Sequence, residues 1–182
     1  MGAPKLKKFE KMTFINNKHI SIYIIILFSF SVFFLNEKHM VGNDSTISEW
    51  IINYEGGFTK RGLIGQISIY LSNIFDLKLR FTILLFQIFI VGLYFLLLYY
   101  FLKHLKLNNI IIFSIFSPIF ILYPVAEIEV LARKETFIFC FFLFYLLLGK
   151  TYHKHIYKLI ILPLSVLIWE PVVFFFPFWF II

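Results

Sequence analysis

Charged residues stand in three places along an otherwise apolar chain. The stretch YEGGFTKRGLIG (54–65) carries Glu55, Lys60 and Arg61 among four glycines, and YPVAEIEVLARKETF (123–137) carries Glu127, Glu129, Arg133, Lys134 and Glu135. A single carboxylate, Glu170, interrupts LIILPLSVLIWEPVVFFFPFWFII (159–182). Glycines let backbone N–H groups approach a bound anion closely, and adjacent lysine and arginine beside a helix N-terminus add a point charge and a bidentate fork, which suits phosphate. Carboxylates set among such cations suit proton transfer.

The elements holding these groups must be helices in a bilayer. Of 182 residues, 60% are hydrophobic and 21% aromatic, with only 15% charged, far from the soluble range. Apolar runs cover Ile20 to Leu35, Phe81 to Leu102, Ile110 to Pro124, Thr136 to Leu148 and Leu159 to Ile182. A hydrocarbon core about 30 Å thick needs roughly 20 helical residues, so the shorter runs must borrow a turn from their flanks. Continuous hydrophobicity without a period of two argues for helices over a barrel. The expected fold is all-α: a polytopic bundle of about five spans forming a single transmembrane domain over residues 1–182. Cys140, the lone cysteine, lies in an apolar run and reads as a packed small hydrophobe.

Lys5, Lys7, Lys8, Lys11 and Lys18 precede the first run, so the positive-inside rule places the N-terminus in the cytoplasm. The second and fourth loops then fall on the same side with Lys103, Lys106, Lys150, Lys154 and Lys158, and no acid. Among the acidic residues only Glu10 shares that side. Carboxylate chemistry is therefore expected on the outer face, and the formal net charge of +7 is cytoplasmic anchoring rather than a nucleic-acid surface. The apolar first run has no small-residue cleavage site after Leu35 and reads as an uncleaved anchor; Leu6 stands where a myristoylation motif needs Ser or Thr.

The outward loop at 36–80 is long enough to hold its own structure. Thr46-Ile47-Ser48-Glu49 has the form of a capping box, and Ile47, Trp50, Ile51 and Tyr54 follow at helical spacing, predicting a surface-lying helix over Thr46 to Tyr54. Gly56-Gly57 should end it. Leu63, Ile67, Tyr70, Leu71 and Ile74 then form the apolar stripe of a second interfacial helix, Gly62 to Phe75, with Gln66, Ser68, Ser72 and Asn73 off the stripe. Asn43-Asp44-Ser45 fits a glycosylation sequon but carries no weight by itself.

Depth makes the remaining charges costly. Helical rise puts Glu135 roughly 22 Å from Lys150 and Glu170 roughly 18 Å from Lys158, where exposure to lipid costs about 2–3 kcal/mol per charge. Glu129 and Arg133, four apart, can pair along a helix. Glu170, between Pro163, Pro171 and Pro177 in a kinked or re-entrant segment, requires Arg61, Arg133 or Lys134 as partner. Glu55, Lys60, Arg61, Arg133, Lys134, Glu135 and Glu170 are thus expected to converge on one outward cavity, with Glu127 and Glu129 as further contacts at the hairpin tip.

GGFTKRGLIG after a first span, ARKE in a hairpin and WEP in a later span resemble multi-pass proteins of bacterial surface-polysaccharide clusters, which act as glycan polymerases or glycosyltransferases on lipid-linked sugars. The resemblance implies a bacterial cytoplasmic-membrane protein with a polyprenyl-linked donor, Glu55 as base, and Lys60, Arg61, Arg133 and Lys134 holding phosphate or pyrophosphate; Glu135 and Glu170 complete the catalytic candidates. No cofactor or metal ligand is assigned. Members of that class carry more spans, so the chain reads as the N-terminal part of a longer protein. A secondary transporter, with Glu135 and Glu170 binding protons or cations, and a non-catalytic assembly subunit are the alternatives.

Overall fold

The computed structural model describes residues 17–41, 45–105, 108–117, 120–127, 129–149 and 151–181, all helices and connections without strands among them. The N-terminal lysines up to Lys11, the Asn43-Asp44 part of the sequon, Lys106, Pro118 and Lys150 lie outside these residues, as does the Thr46 side chain of the capping box.

Among the described residues, two helices are long and apolar enough to cross a membrane: α1 (Asn17–Val41) and α4 (Leu79–His104). In α1 the buried positions are Ile20, Ile24, Leu27, Ser31, Leu35 and Lys38, stepping by three or four residues along one stripe. The opposite face exposes Ile22, Ile25, Ile26, Phe30 and Phe33. Central α4 packs against α1 on one side and α7 (Glu135–Leu147) on the other. It buries Ile83, Gln87, Ile90, Val91 and Leu98 while exposing Phe81, Leu85, Phe89 and Leu96. Cys140 is buried on α7 with its thiol 3.7 Å from the Ile90 carbonyl oxygen.

The other apolar runs are broken into shorter pieces. Residues 110–124, expected as one span, form α5 (Asn109–Phe116) and, after a turn, α6 (Tyr123–Ala126). Asn108 caps α5 by accepting from the Ile111 N–H. The last run also divides. Helix α8 (Thr151–Ile168) begins eight residues ahead of the expected span, taking Lys154 and Lys158 into the helix, and Pro163 sits within it. Extended Trp169 ends α8, and a 3-10 segment (Glu170–Phe175) leads into α9 (Phe176–Ile181). This return doubles back along α8: Trp179 rests on Tyr145 and Tyr157 (5.2 and 6.2 Å between ring centroids), and its carbonyl accepts from Lys158 Nζ at 3.3 Å. The last run is therefore broken at Trp169 and doubled back instead of forming one straight helix.

Between α1 and α4 lie α2 (Ser45–Ile51) and α3 (Gly62–Ile74), close to the expected pair. Their faces differ from expectation. On α2, Ile47 and Trp50 point into the protein rather than outward. On α3 the buried face is Gly62, Ile64, Gly65, Ser68 and Ser72, and the apolar side chains Ile67, Tyr70 and Ile74 are exposed. Small residues bring α3 close to its neighbours: a Cβ at Gly65 would run into the Ile52 carbonyl. Helix α2 stops at Ile51, before Gly56-Gly57; the left-handed Gly57 (φ 112°) instead forms a turn inside the 52–61 elbow, donating to the Tyr54 carbonyl.

Candidate functional site

The C-terminal end of α1, helix α2 and the N-terminal ends of α3, α4 and α7 bring charged and polar groups together. Arg61, in a left-handed conformation (φ 63°) just before α3, grips Glu170 with two hydrogen bonds, Nε to Oε2 at 2.8 Å and Nη2 to Oε1 at 3.2 Å. That fork pins the turn between α8 and its return to the start of α3. Arg133 donates from Nη2 to Glu49 on α2 at 2.9 Å, and its Nε lies 3.7 Å from Glu135 Oε1. Lys134 reaches back to the Arg61 carbonyl at 2.5 Å, which fixes the strained turn from below. Lys38, buried at the end of α1, shares the field of Glu129, Arg133 and Glu49.

Local backbone explains how Arg133 and Lys134 arrive there. Residues 129–134 are not helical but run through turns, with Ala132 left-handed (φ 57°). The helical path expected for Glu129 and Arg133 is therefore not the one taken, and Arg133 contacts Glu49 and Glu135. Trp50 holds this connection: its Nε1–H donates to the Ala132 carbonyl at 3.0 Å, and its ring meets Phe86 of α4 and Phe137 of α7 at 5.5 and 5.6 Å.

Of the residues singled out in the sequence, Arg61, Arg133, Lys134, Glu135 and Glu170 meet here. Lys60 is exposed next to them and adds its charge to the field at Glu170. Glu127 is exposed at the connection after α6, and exposed Glu129 acts on Lys38. Glu55 stands apart, exposed at the elbow, where its backbone N–H is tied to Asn53 Oδ1. Sequence reasoning missed Glu49, treated as a capping residue, together with Lys38 and Trp50. It also missed a contact within the bundle, His39 Nε2 to Gln87 Oε1 at 2.8 Å. The signal available for Glu49 was its place next to an apolar Trp50, which carries any neighbour on α2 toward the protein.

Electrostatics are close to balance: Lys38, Lys60, Arg61, Arg133 and Lys134 stand among Glu49, Glu129, Glu135 and Glu170. An arriving phosphate would therefore replace a carboxylate at a guanidinium instead of filling an open cationic hole. Glu135 is the most loosely held, at 3.7 Å, and its Oε2 is buried without a hydrogen-bond partner. The Glu170 hydrogen bond raises the Arg61 guanidinium above its ordinary value, keeping it charged. Fully buried Lys134 is pushed down to about 8, chiefly by burial, with the neighbouring Arg61 adding to the effect against the pull of Glu49, Glu170 and Glu135.

This makes a pH prediction. The unfolded chain keeps the lysine proton up to its ordinary value of 10.5, whereas the folded protein gives it up near 8. Stability therefore gains from this group as pH rises across that interval. Thermal unfolding in detergent should show the gain in wild type and lack it in Lys134→Met; equal pH slopes would contradict it.

Two apolar recesses adjoin the cluster. One of about 180 Å³ lies between α1, α4 and the 124–136 connection, with Arg133 and Glu135 on its wall. The other, about 280 Å³, runs between α7 and the returning segment 169–179, also with Glu135 on its wall. Comparison with known proteins finds no family model, curated protein or solved structure that the chain matches.

Proposed function

We propose that the chain is an integral membrane protein of bacterial surface-glycan biosynthesis, which transfers or polymerises sugars from a polyprenyl-phosphate-linked donor on the outer face of the cytoplasmic membrane. The observation that carries this reading is the meeting of Glu49, Arg61, Arg133 to Glu135 and Glu170, from four separated segments, at one end of a bundle with apolar outer faces.

Membrane placement is supported by the inverted pattern of α3 and by the exposed Ile and Phe stripes of α1 and α4. In water such surfaces would be unfavourable by about 25 cal/mol per Å² of apolar area. The lysine distribution orients the bundle with its N-terminus in the cytoplasm and the charged end outward. Helices α1 and α4 cross fully, and the α5–α6 pair, α7, and α8 with its return make up the remaining passages.

In the transfer step, an acceptor sugar hydroxyl attacks the anomeric carbon of the donor. The new C–O bond forms as the bond to phosphate breaks, its electron pair leaving on the phosphate. Arg133, Lys134 and Arg61 stabilise that phosphate, and Glu135 takes the hydroxyl proton. Glu135 replaces Glu55 in the role of base because it adjoins the cations and offers an unpartnered oxygen.

Complementation is the test. Cells lacking this chain should lose surface glycan and regain it with wild type but not with Arg133→Ala at matched protein level. Full glycan without the chain would overturn the reading.

A further inference from the structure

The end of the bundle away from Glu170 carries cations without carboxylates. From Thr136 to Trp169 the chain has no aspartate or glutamate, yet it holds Lys150, His153, Lys154, His155 and Lys158. Helix α8 starts at this end and finishes beside Glu170, 18 residues or roughly 27 Å further on. Among the described residues no salt bridge reaches Lys154 or Lys158. Lys158 is nevertheless fixed. Its ammonium donates to the Trp179 carbonyl at 3.3 Å and stands 5.6 and 5.0 Å from the ring centroids of Tyr145 and Phe180, while Lys154 Nζ lies 4.9 Å from that of Tyr145. A carbonyl dipole and aromatic faces orient an ammonium but leave its charge in place.

The same lysine meets apolar surface in a groove of about 440 Å³. His155, Lys158, Leu159 and Leu162 follow at three- and four-residue steps on one face of α8, and Pro163 and, from α9, Phe180 complete the lining. The returning segment separates this groove from the recess at Glu135, because Trp179 is buried on one side of it and Phe180 is exposed on the other. Leu159 is 78% exposed and Phe180 65%, so the groove opens sideways to whatever surrounds the bundle. From His155 to Pro163 is roughly 12 Å along the axis, enough to pass from the headgroup region into hydrocarbon.

We infer that this groove binds one anionic phospholipid of the surrounding leaflet. Its phosphate takes the Lys158 N–H groups that Trp179 does not use, His155 adds a second donor, and an acyl chain lies along Leu159, Leu162 and Phe180. Charge selects this occupant. A partner helix would have to bring an acidic residue to exactly this point, whereas a bilayer presents phosphate beside hydrocarbon along its whole interface, and a lipid with net negative charge gains most from Lys154 and Lys158 together. The inference rests on the membrane placement of the bundle and not on its glycan chemistry.

The experiment places the full chain in phosphatidylcholine nanodiscs containing a trace of photoreactive phosphatidylglycerol, or of phosphatidylcholine with the same photoreactive acyl chain. Phosphatidylglycerol cross-links should map to 155–163 and Phe180, and phosphatidylcholine should label those residues less. Lys158→Gln should lower the phosphatidylglycerol signal about fivefold, the factor for one lysine beside an anionic lipid, and Lys158→Arg should keep it. Lys18→Gln, at an exposed position of α1 outside the groove, should leave it unchanged. Leu159→Trp fills the groove and should lower labelling by both lipids. It is the second variant if Lys158→Gln is unstable, with thermal unfolding as the folding control for both. Equal labelling by the two lipids in wild type would make the groove plain hydrocarbon surface and overturn the inference. Equal losses in Lys18→Gln and Lys158→Gln would assign the attraction to the whole basic end, and cross-links confined to other helices would place the lipid elsewhere; either overturns it. The complementation test of the function is unaffected by each of these outcomes.

Discussion

Trp50→Ala is expected to cost about 3–5 kcal/mol, the range for removing a large buried aromatic side chain, and to release the charged end of the bundle from its scaffold. The indole is fully buried, packs on Phe86 and Phe137, and supplies the donor to the Ala132 carbonyl. Its removal strikes three elements together. Helix α2 loses its anchor to α4 and α7, the left-handed Ala132 loses the bond that holds its peptide, and Arg133 and Lys134 lose the backbone that aims them. Trp50→Phe keeps most of the packing and drops only the N–H, so it should cost about 1–2 kcal/mol. Thermal unfolding in detergent, with protein yield as a second reading, separates the two. A Trp50→Ala protein as stable as wild type would mean that the connection 127–134 holds itself.

Glu135→Gln should spare folding and remove function. The amide has nearly the shape of the carboxylate, and the ion-pair contact it makes among the described residues is the long one to Arg133, so stability should stay close to wild type. Losing the proton acceptor should lower glycan formation by roughly 10²–10⁴-fold, with donor binding retained. Glu55→Gln, at the exposed elbow, should leave glycan formation near wild type. Surface glycan measured in cells at matched protein level decides it. Wild-type output from Glu135→Gln would remove this residue from the chemistry, and a deficit confined to Glu55→Gln would return the base to the elbow.

The extent to which these features are legible in the sequence differs by the physics involved. Helices α1 and α4 follow directly from uninterrupted apolar runs, and the ends of α3 come within one residue of expectation because Gly62 and the Phe75-Asp76 turn mark them locally. Facing is less accessible. The α3 stripe read as amphipathic is present, but its apolar side turns outward and its Gly-Ser side inward, an outcome that depends on whether water or lipid surrounds the helix. Partner choice is hidden for another reason. The need of Glu170 for a cation follows from its depth, yet selecting Arg61 over Arg133 depends on the left-handed turn at residue 61 and on the reversal at Trp169. Both are tertiary features without a local signature. The convergence of Arg133, Lys134 and Glu135 was implied by adjacency, whereas Glu49 reached the cluster through the burial of its neighbour Trp50.

The Arg61–Glu170 fork joins residues separated by 109 positions. At about 5–20 residues per second, a ribosome needs roughly 5 to 20 s to make the intervening chain. Arg61 is made long before its carboxylate exists. During that interval the Lys134 ammonium, 73 positions downstream, arrives to meet the Arg61 carbonyl while the guanidinium still awaits its counter-ion. Completion of this charged end is thus a late step of folding, and a chain whose last segment fails to turn back leaves Arg61 without the fork to Glu170.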